Sequence, residues 1–215
     1  MNNIKACLFD LDGVIVDTAK YHYLAWRKLA NELGFDFTEE QNERLKGVSR
    51  MDSLNILLEI GGVNLDEETK LNLAEKKNSC YLEYITKIDK SEVLPGVEDF
   101  IKSLKENGIK VALGSASKNA VLILENIEMI HYFDVIIDGN KISKAKPDPE
   151  VFLAGAKELN ISTENCVVFE DAEAGIKAAK NGGMKAIAVG TSDTLKNADK
   201  IISTFSGINL DILKF

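Results

Sequence analysis

Ile4-Lys5-Ala6-Cys7-Leu8-Phe9-Asp10-Leu11-Asp12-Gly13 begins as a short apolar run and breaks at two aspartates and a glycine. A run of this length and composition, bounded by a turn signal, predicts a buried strand over Ile4–Phe9 that ends at Asp10. Similar runs recur at Ile109–Gly114, Val135–Ile137, Val167–Phe169 and Ala186–Val189, with a short edge strand expected at Lys200–Ser203. Val97–Glu106, Glu150–Glu158 and Ala172–Lys180 read as helices between them, the first closed by Asn107-Gly108. Strands alternating with helices in this way imply an α/β chain. Its core would be a doubly wound, Rossmann-like parallel sheet with helices on both faces.

The stretch after the first strand has a different pattern. Asp17–Leu33, Glu39–Leu45, Asp52–Glu59 and Asp66–Ile85 carry helical spacing, and nothing there alternates like a strand. A helical block lodged between the first strand and the rest reads as an insertion, with hinges near Val14–Val16 and Lys90–Pro95. The expected division is a discontinuous core, 1–15 and 93–215, carrying a helical cap at 16–92.

Composition excludes several classes. At 215 residues and a net charge of −8, with only Arg27, Arg44 and Arg50 as arginines, the chain lacks the clustered basic surface of a nucleic-acid binder. No stretch approaches the ~20 apolar residues of a membrane span, and the opening run is interrupted too early for a signal peptide. Cys7, Cys80 and Cys166 form no CxxC pair; Cys7 and Cys166 sit in apolar runs, which reads as buried thiols in a reducing cytoplasm. A monomer is expected.

In an open α/β sheet, ligands bind beyond the carboxyl ends of the strands. Those ends here hold Asp10 and Asp12, Ser115, and Glu170-Asp171, with Lys146 in the loop after the third strand. Each has an ordinary reading. Asp-Leu-Asp-Gly makes turns, Asp171 and Ser115 suit helix N-caps, and loop lysines are usually solvated. Together they suggest more. Adjacent carboxylates repel unless protonated or bound to a cation, and hard oxygen donors suit Mg²⁺. The small residues Gly114-Ser115-Ala116-Ser117, ahead of a helical segment, would offer backbone N–H groups to an anion.

Asp10-Leu11-Asp12-Gly13-Val14, Ser115, Lys146 and Glu170-Asp171 resemble, in order, the four motifs of the haloacid dehalogenase superfamily. The resemblance spans nearly the whole chain and implies an Mg²⁺-dependent phosphoryl-transfer enzyme with a HAD-like core. Asp10 would then be the nucleophile and Asp12 the general acid/base. Asp10, Asp12 (through its carbonyl), Glu170 and Asp171 would hold the metal, and Ser115 and Lys146 the transferring phosphoryl group.

Within the superfamily the cap looks like that of the β-phosphoglucomutases. The similar pieces are Asp17-Thr18-Ala19, the stretch Tyr21 to Trp26, Gly47-Val48-Ser49-Arg50 with Ser53, Lys77, and Ser115-Ala116-Ser117-Lys118-Asn119 in the core. Met51 departs from the pattern, standing where an acidic residue is expected. This similarity implies glucose 1-phosphate, glucose 6-phosphate and glucose 1,6-bisphosphate as ligands. Thr18, His22 and Lys77 would couple cap closure to Asp12, while Arg50, Ser117, Lys118 and Asn119 would bind the phosphate that is not transferred. Trp26, Gly47, Ser53 and Ala116 complete the expected substrate contacts. His22 and Trp26 also fit the apolar stripe of their helix, as core residues. A sugar-phosphate phosphatase shares the four motifs and is the rival expectation.

Overall fold

The computed structural model describes residues 4–46, 48–190, 195 and 197–215. Its strands are β1 (Ala6–Phe9), β2 (Lys110–Gly114), β3 (Val135–Ile137), β4 (Cys166–Glu170), β5 (Lys185–Val189) and β6 (Lys200–Ile202). All pair in parallel in the order β3-β2-β1-β4-β5-β6. The order reverses at β1, which lies between β2 and β4 and places a crevice at its carboxyl end.

Burial on both faces explains the apolar runs. Cys7 and Phe9 of β1 join one core, while Ala6 and Leu8 join the other. The first core is covered by α5 (Val97–Glu106) and α6 (Ala120–Asn126), the second by α7 (Glu150–Glu158) and α8 (Glu173–Asn181). Under the β1 and β4 ends, Phe9 and Phe169 stack with ring centroids 4.8 Å apart, and Phe100 and Phe205 close around them. Each buried phenyl stabilises the fold by roughly 1.5–3 kcal/mol. This packing makes a stiff floor for whatever stands on the strand ends.

Between β1 and β2 lie α1 (Ala19–Glu32), α2 (Glu39–Asn42), α3 (Arg50–Gly61) and α4 (Glu67–Ile85). They enclose a separate apolar cluster that includes Trp26, Leu29, Phe37, Leu54, Leu57 and Leu58. The segments entering and leaving this helical insert run against each other. Val16 bridges Val93, and the Leu94 N–H donates to the Ile15 carbonyl at 2.9 Å. Glu92 also accepts from Lys20 and Tyr21 at the start of α1. None of the described helices is long and apolar enough to cross a membrane.

Candidate active site

β1 and β4 are neighbours in register, so the residues that follow them emerge side by side. Asp10 is held by its own N–H, which donates to the Phe169 carbonyl at 3.0 Å. Lys146 reaches in from the loop after β3; its Nζ donates to Asp10 Oδ1 at 2.7 Å and to Glu170 Oε1 at 2.5 Å. Glu170 Oε2 accepts the N–H of Ala172. Burial by itself would lower the Lys146 ammonium, but Asp10 and Glu170 override it and hold the group firmly charged. Burial raises both Glu170 and Asp171 above the usual carboxylate range; the Asp10 charge adds to this, and Lys146 opposes it.

One ligand oxygen from each of Asp10, Glu170 and Asp171 lies within 4.8 Å of the others. Oxygen donors gathered this closely suit a hard divalent cation, while Lys146, bound to two of the carboxylates, and Lys46, 3.7 Å from Asp171, offset part of their charge. Two glycines make room for the carboxylates. A Cβ on Gly13, whose φ is +74°, would lie 2.2 Å from Asp171 Oδ2, and one on Gly175 would lie 1.8 Å from Glu170 Oε1.

Asp12 stands at the junction with the insert. Burial and then the neighbouring Asp10 push its carboxyl up to about 7, and its Oδ1 has no hydrogen-bond partner among the described residues. A carboxyl poised there can give or take a proton near neutral pH. Above it, Lys77 Nζ lies 2.9 Å from His22 Nδ1 and over the rings of Trp26 and Tyr81 at 4.5 and 4.7 Å. Burial, then Arg50, lowers Lys77 to about 7. Burial, then Lys77 and Arg50, holds His22 well below its ordinary value. A neutral His22 can accept from the Lys77 ammonium.

The loop from Ser115 to Asn119 forms the adjoining wall. Ser115 Oγ accepts the Ser117 N–H at 3.1 Å, and Ser117 Oγ accepts that of Asn119 at 3.2 Å. α6 begins only at Ala120, so the donors expected at a helix start belong to this loop instead. Across the cleft, Arg50 is the first residue of α3. A cavity of about 450 Å³ joins these groups.

Most of the expected site residues line that cavity: Asp10, Asp12, His22, Trp26, Arg50, Ser53, Lys77, Ser115 to Asn119, Lys146 and Asp171. Glu170 is buried beneath it, and Thr18 is buried beside it, its hydroxyl without a hydrogen-bond partner among the described residues. Trp26 is almost wholly enclosed in the insert's apolar cluster, with the Lys77 ammonium over its ring, which leaves little of the indole to stack on a sugar. Gly47 lies outside the described residues. Sequence reasoning missed Lys46, Asn78, Tyr81 and Gly139, which also line the cavity. Lys46 and Asn78 each adjoin an expected residue, and that proximity was the only available signal.

A family profile described as haloacid dehalogenase-like hydrolase matches residues 4–183. The chain belongs to this family. Haloacid dehalogenase-like relatives include a β-phosphoglucomutase of Bacillus subtilis (strain 168), 42% identical over 98% of this chain and 94% of that protein. A phosphorylated carbohydrates phosphatase of Thermotoga maritima is 33% identical over 86% of this chain and 84% of that protein. Among solved structures, a β-phosphoglucomutase from Clostridium difficile superposes with a TM-score of 0.94 at 43% identity. That match covers 98% of this chain and 95% of the other.

Proposed function

We propose that this chain is a β-phosphoglucomutase, interconverting β-D-glucose 1-phosphate and β-D-glucose 6-phosphate. The observation that carries this reading is a second group of cationic and polar side chains in the cavity that contains Asp10, suited to a second anion. Arg50 from the insert and Ser117, Lys118 and Asn119 from the core make up that group. A mutase handling a bisphosphate needs two such places, and a hydrolase acting on a monophosphate needs only one. The similarity to the Bacillus subtilis and Clostridium difficile proteins supports the same reading. We take 1–15 with 93–215 as the catalytic core and 16–92 as its cap.

In this reading the Asp10 carboxylate carries a phosphoryl group. A sugar hydroxyl attacks that phosphorus as Asp12 takes its proton; the bond to Asp10 breaks and glucose 1,6-bisphosphate forms. In the return transfer Asp10 attacks the other phosphate, and Asp12 gives the proton to the departing sugar oxygen. Lys146 and Ser115 hold the transferring group, while Arg50, Ser117, Lys118 and Asn119 hold the distal phosphate. Thr18, His22 and Lys77 link cap position to Asp12. Mg²⁺ held by Asp10, Glu170, Asp171 and the Asp12 carbonyl would neutralise charge on the phosphoryl oxygens. Closure of the cap keeps water from the phosphoaspartate.

The 33% identity to a phosphorylated carbohydrates phosphatase supports a second reading, in which water replaces the sugar as acceptor. The test is incubation with β-glucose 1-phosphate, Mg²⁺ and a trace of the bisphosphate. Glucose 6-phosphate should accumulate, and Asp10→Asn should abolish it while the protein stays folded. Stoichiometric inorganic phosphate in its place would reject the mutase.

A further inference from the structure

Arg50 and Asn119, both assigned above to the distal phosphate, already share one acceptor. Arg50 Nη2 donates to Asn78 Oδ1 at 2.8 Å, and Asn119 Nδ2 donates to the same oxygen at 3.0 Å. Arg50 and Asn78 stand on α3 and α4 of the insert, whereas Asn119 belongs to the core loop after β2. A guanidinium has donors only, so the Asn78 amide must face it with its oxygen. One neutral oxygen thus gathers an arginine and an amide from opposite sides of the cleft, as an oxygen of a bound phosphate would.

We propose that Asn78 is a positioning residue of the second anion site. It holds Arg50 and Asn119 side by side while no phosphate is present, then yields their donors to the incoming dianion. The inference rests on the distal-phosphate assignment of Arg50 and Asn119 and adds a residue that assignment does not contain. The chemistry of an amide fits the task. A neutral oxygen makes weaker hydrogen bonds than a phosphate oxygen, so it orients the guanidinium without competing for it. A carboxylate in its place would pair with Arg50 and oppose the substrate.

Asn78→Asp and Asn78→Ala separate these roles in steady-state kinetics with β-glucose 1-phosphate. Acetyl phosphate, which has no distal phosphate, serves as the comparison substrate. Asn78→Asp should raise KM for the sugar phosphate by roughly tenfold or more, the scale of a charge-assisted hydrogen bond, with kcat little changed. Asn78→Ala should raise it about threefold, since donors are left unoriented but unopposed. Turnover of acetyl phosphate should stay near wild type in both. Unchanged KM for the sugar phosphate in both variants would overturn the proposal. So would an equal loss with acetyl phosphate, which would mark a merely structural residue. Product identity in the wild type judges the mutase reading separately. If phosphate rather than glucose 6-phosphate appears, the KM comparison still decides the role of Asn78.

Discussion

Gly175 stands in the first turn of α8, where helix propensity alone favours alanine by about 1 kcal/mol. The site argues the opposite. A Cβ there would lie 1.8 Å from Glu170 Oε1, and Glu170 is fully buried between the Lys146 ammonium and the Ala172 N–H. The carboxylate cannot retreat without giving up one of those partners. Gly175→Ala should therefore lower kcat by about 10²-fold, the usual penalty for displacing a catalytic group by an ångström. It should also lower the thermal midpoint. An alanine variant with full kcat and a raised midpoint would mean that Glu170 has room to move. Nothing local in the sequence marks this glycine, because its role comes from an approach between a helix and a strand end. Asp10, Asp12, Glu170 and Asp171 were legible as a group for the converse reason: all stand at or just beyond the end of an apolar run, and strand ends are local features.

The elements show the same division between local and distant causes. Val97–Glu106, Val135–Ile137 and Glu150–Glu158 appear with the expected bounds, since each has clear local punctuation. α3 begins at Arg50 rather than Asp52 because Ser49 caps it, accepting the Asp52 N–H, and it extends through Gly61 to a left-handed Gly62. The expected helix Glu39–Leu45 divides into α2 and a tighter turn at Glu43–Leu45. The helix after Ser115 carries Val121, Leu122, Ile123 and Leu124 in succession, so its sequence has no polar face to give it bounds. The loop before it depends on the end of β3, a contact between distant segments. The Gly139 N–H donates to the Ser117 carbonyl at 3.1 Å, and the Asn140 amide donates to the Lys118 carbonyl at 3.1 Å. A Cβ on Gly139 would lie 2.3 Å from the Ala116 carbonyl oxygen. Gly139→Ala should push this loop outward and reduce kcat/KM for the sugar phosphate at least about tenfold. The midpoint should move little, since the apolar cores lie elsewhere. Wild-type kcat/KM in that variant would mean that the loop is anchored by other contacts.

At the scale of the whole molecule, the insert keeps a buried cation that folding alone would not select. Lys77 is 3% exposed and faces His22, Arg50, Asp12 and the rings of Trp26 and Tyr81. Its pKa falls from the ordinary 10.5 to about 7 in the folded chain, chiefly through burial and then through Arg50. Below about 7 both folded and unfolded chains hold the proton, and the folded chain bears the full cost of a buried charge. Between about 7 and 10.5 the unfolded chain binds more protons, so this contribution to stability rises with pH. Replacing Lys77 by methionine, of similar length and without charge, removes the effect. Lys77→Met should thus be more stable than wild type near pH 6.5, and its advantage should shrink toward pH 10. The narrowing is at most about 1.4 kcal/mol per pH unit, the limit for one proton. Urea unfolding of both proteins across that range measures it, and a constant difference would mean that Lys77 titrates normally. A group that weakens the fold at neutral pH is retained where it serves the site. Here it brings a positive charge near Asp12, the carboxyl that burial and Asp10 raise, at the seam between insert and sheet.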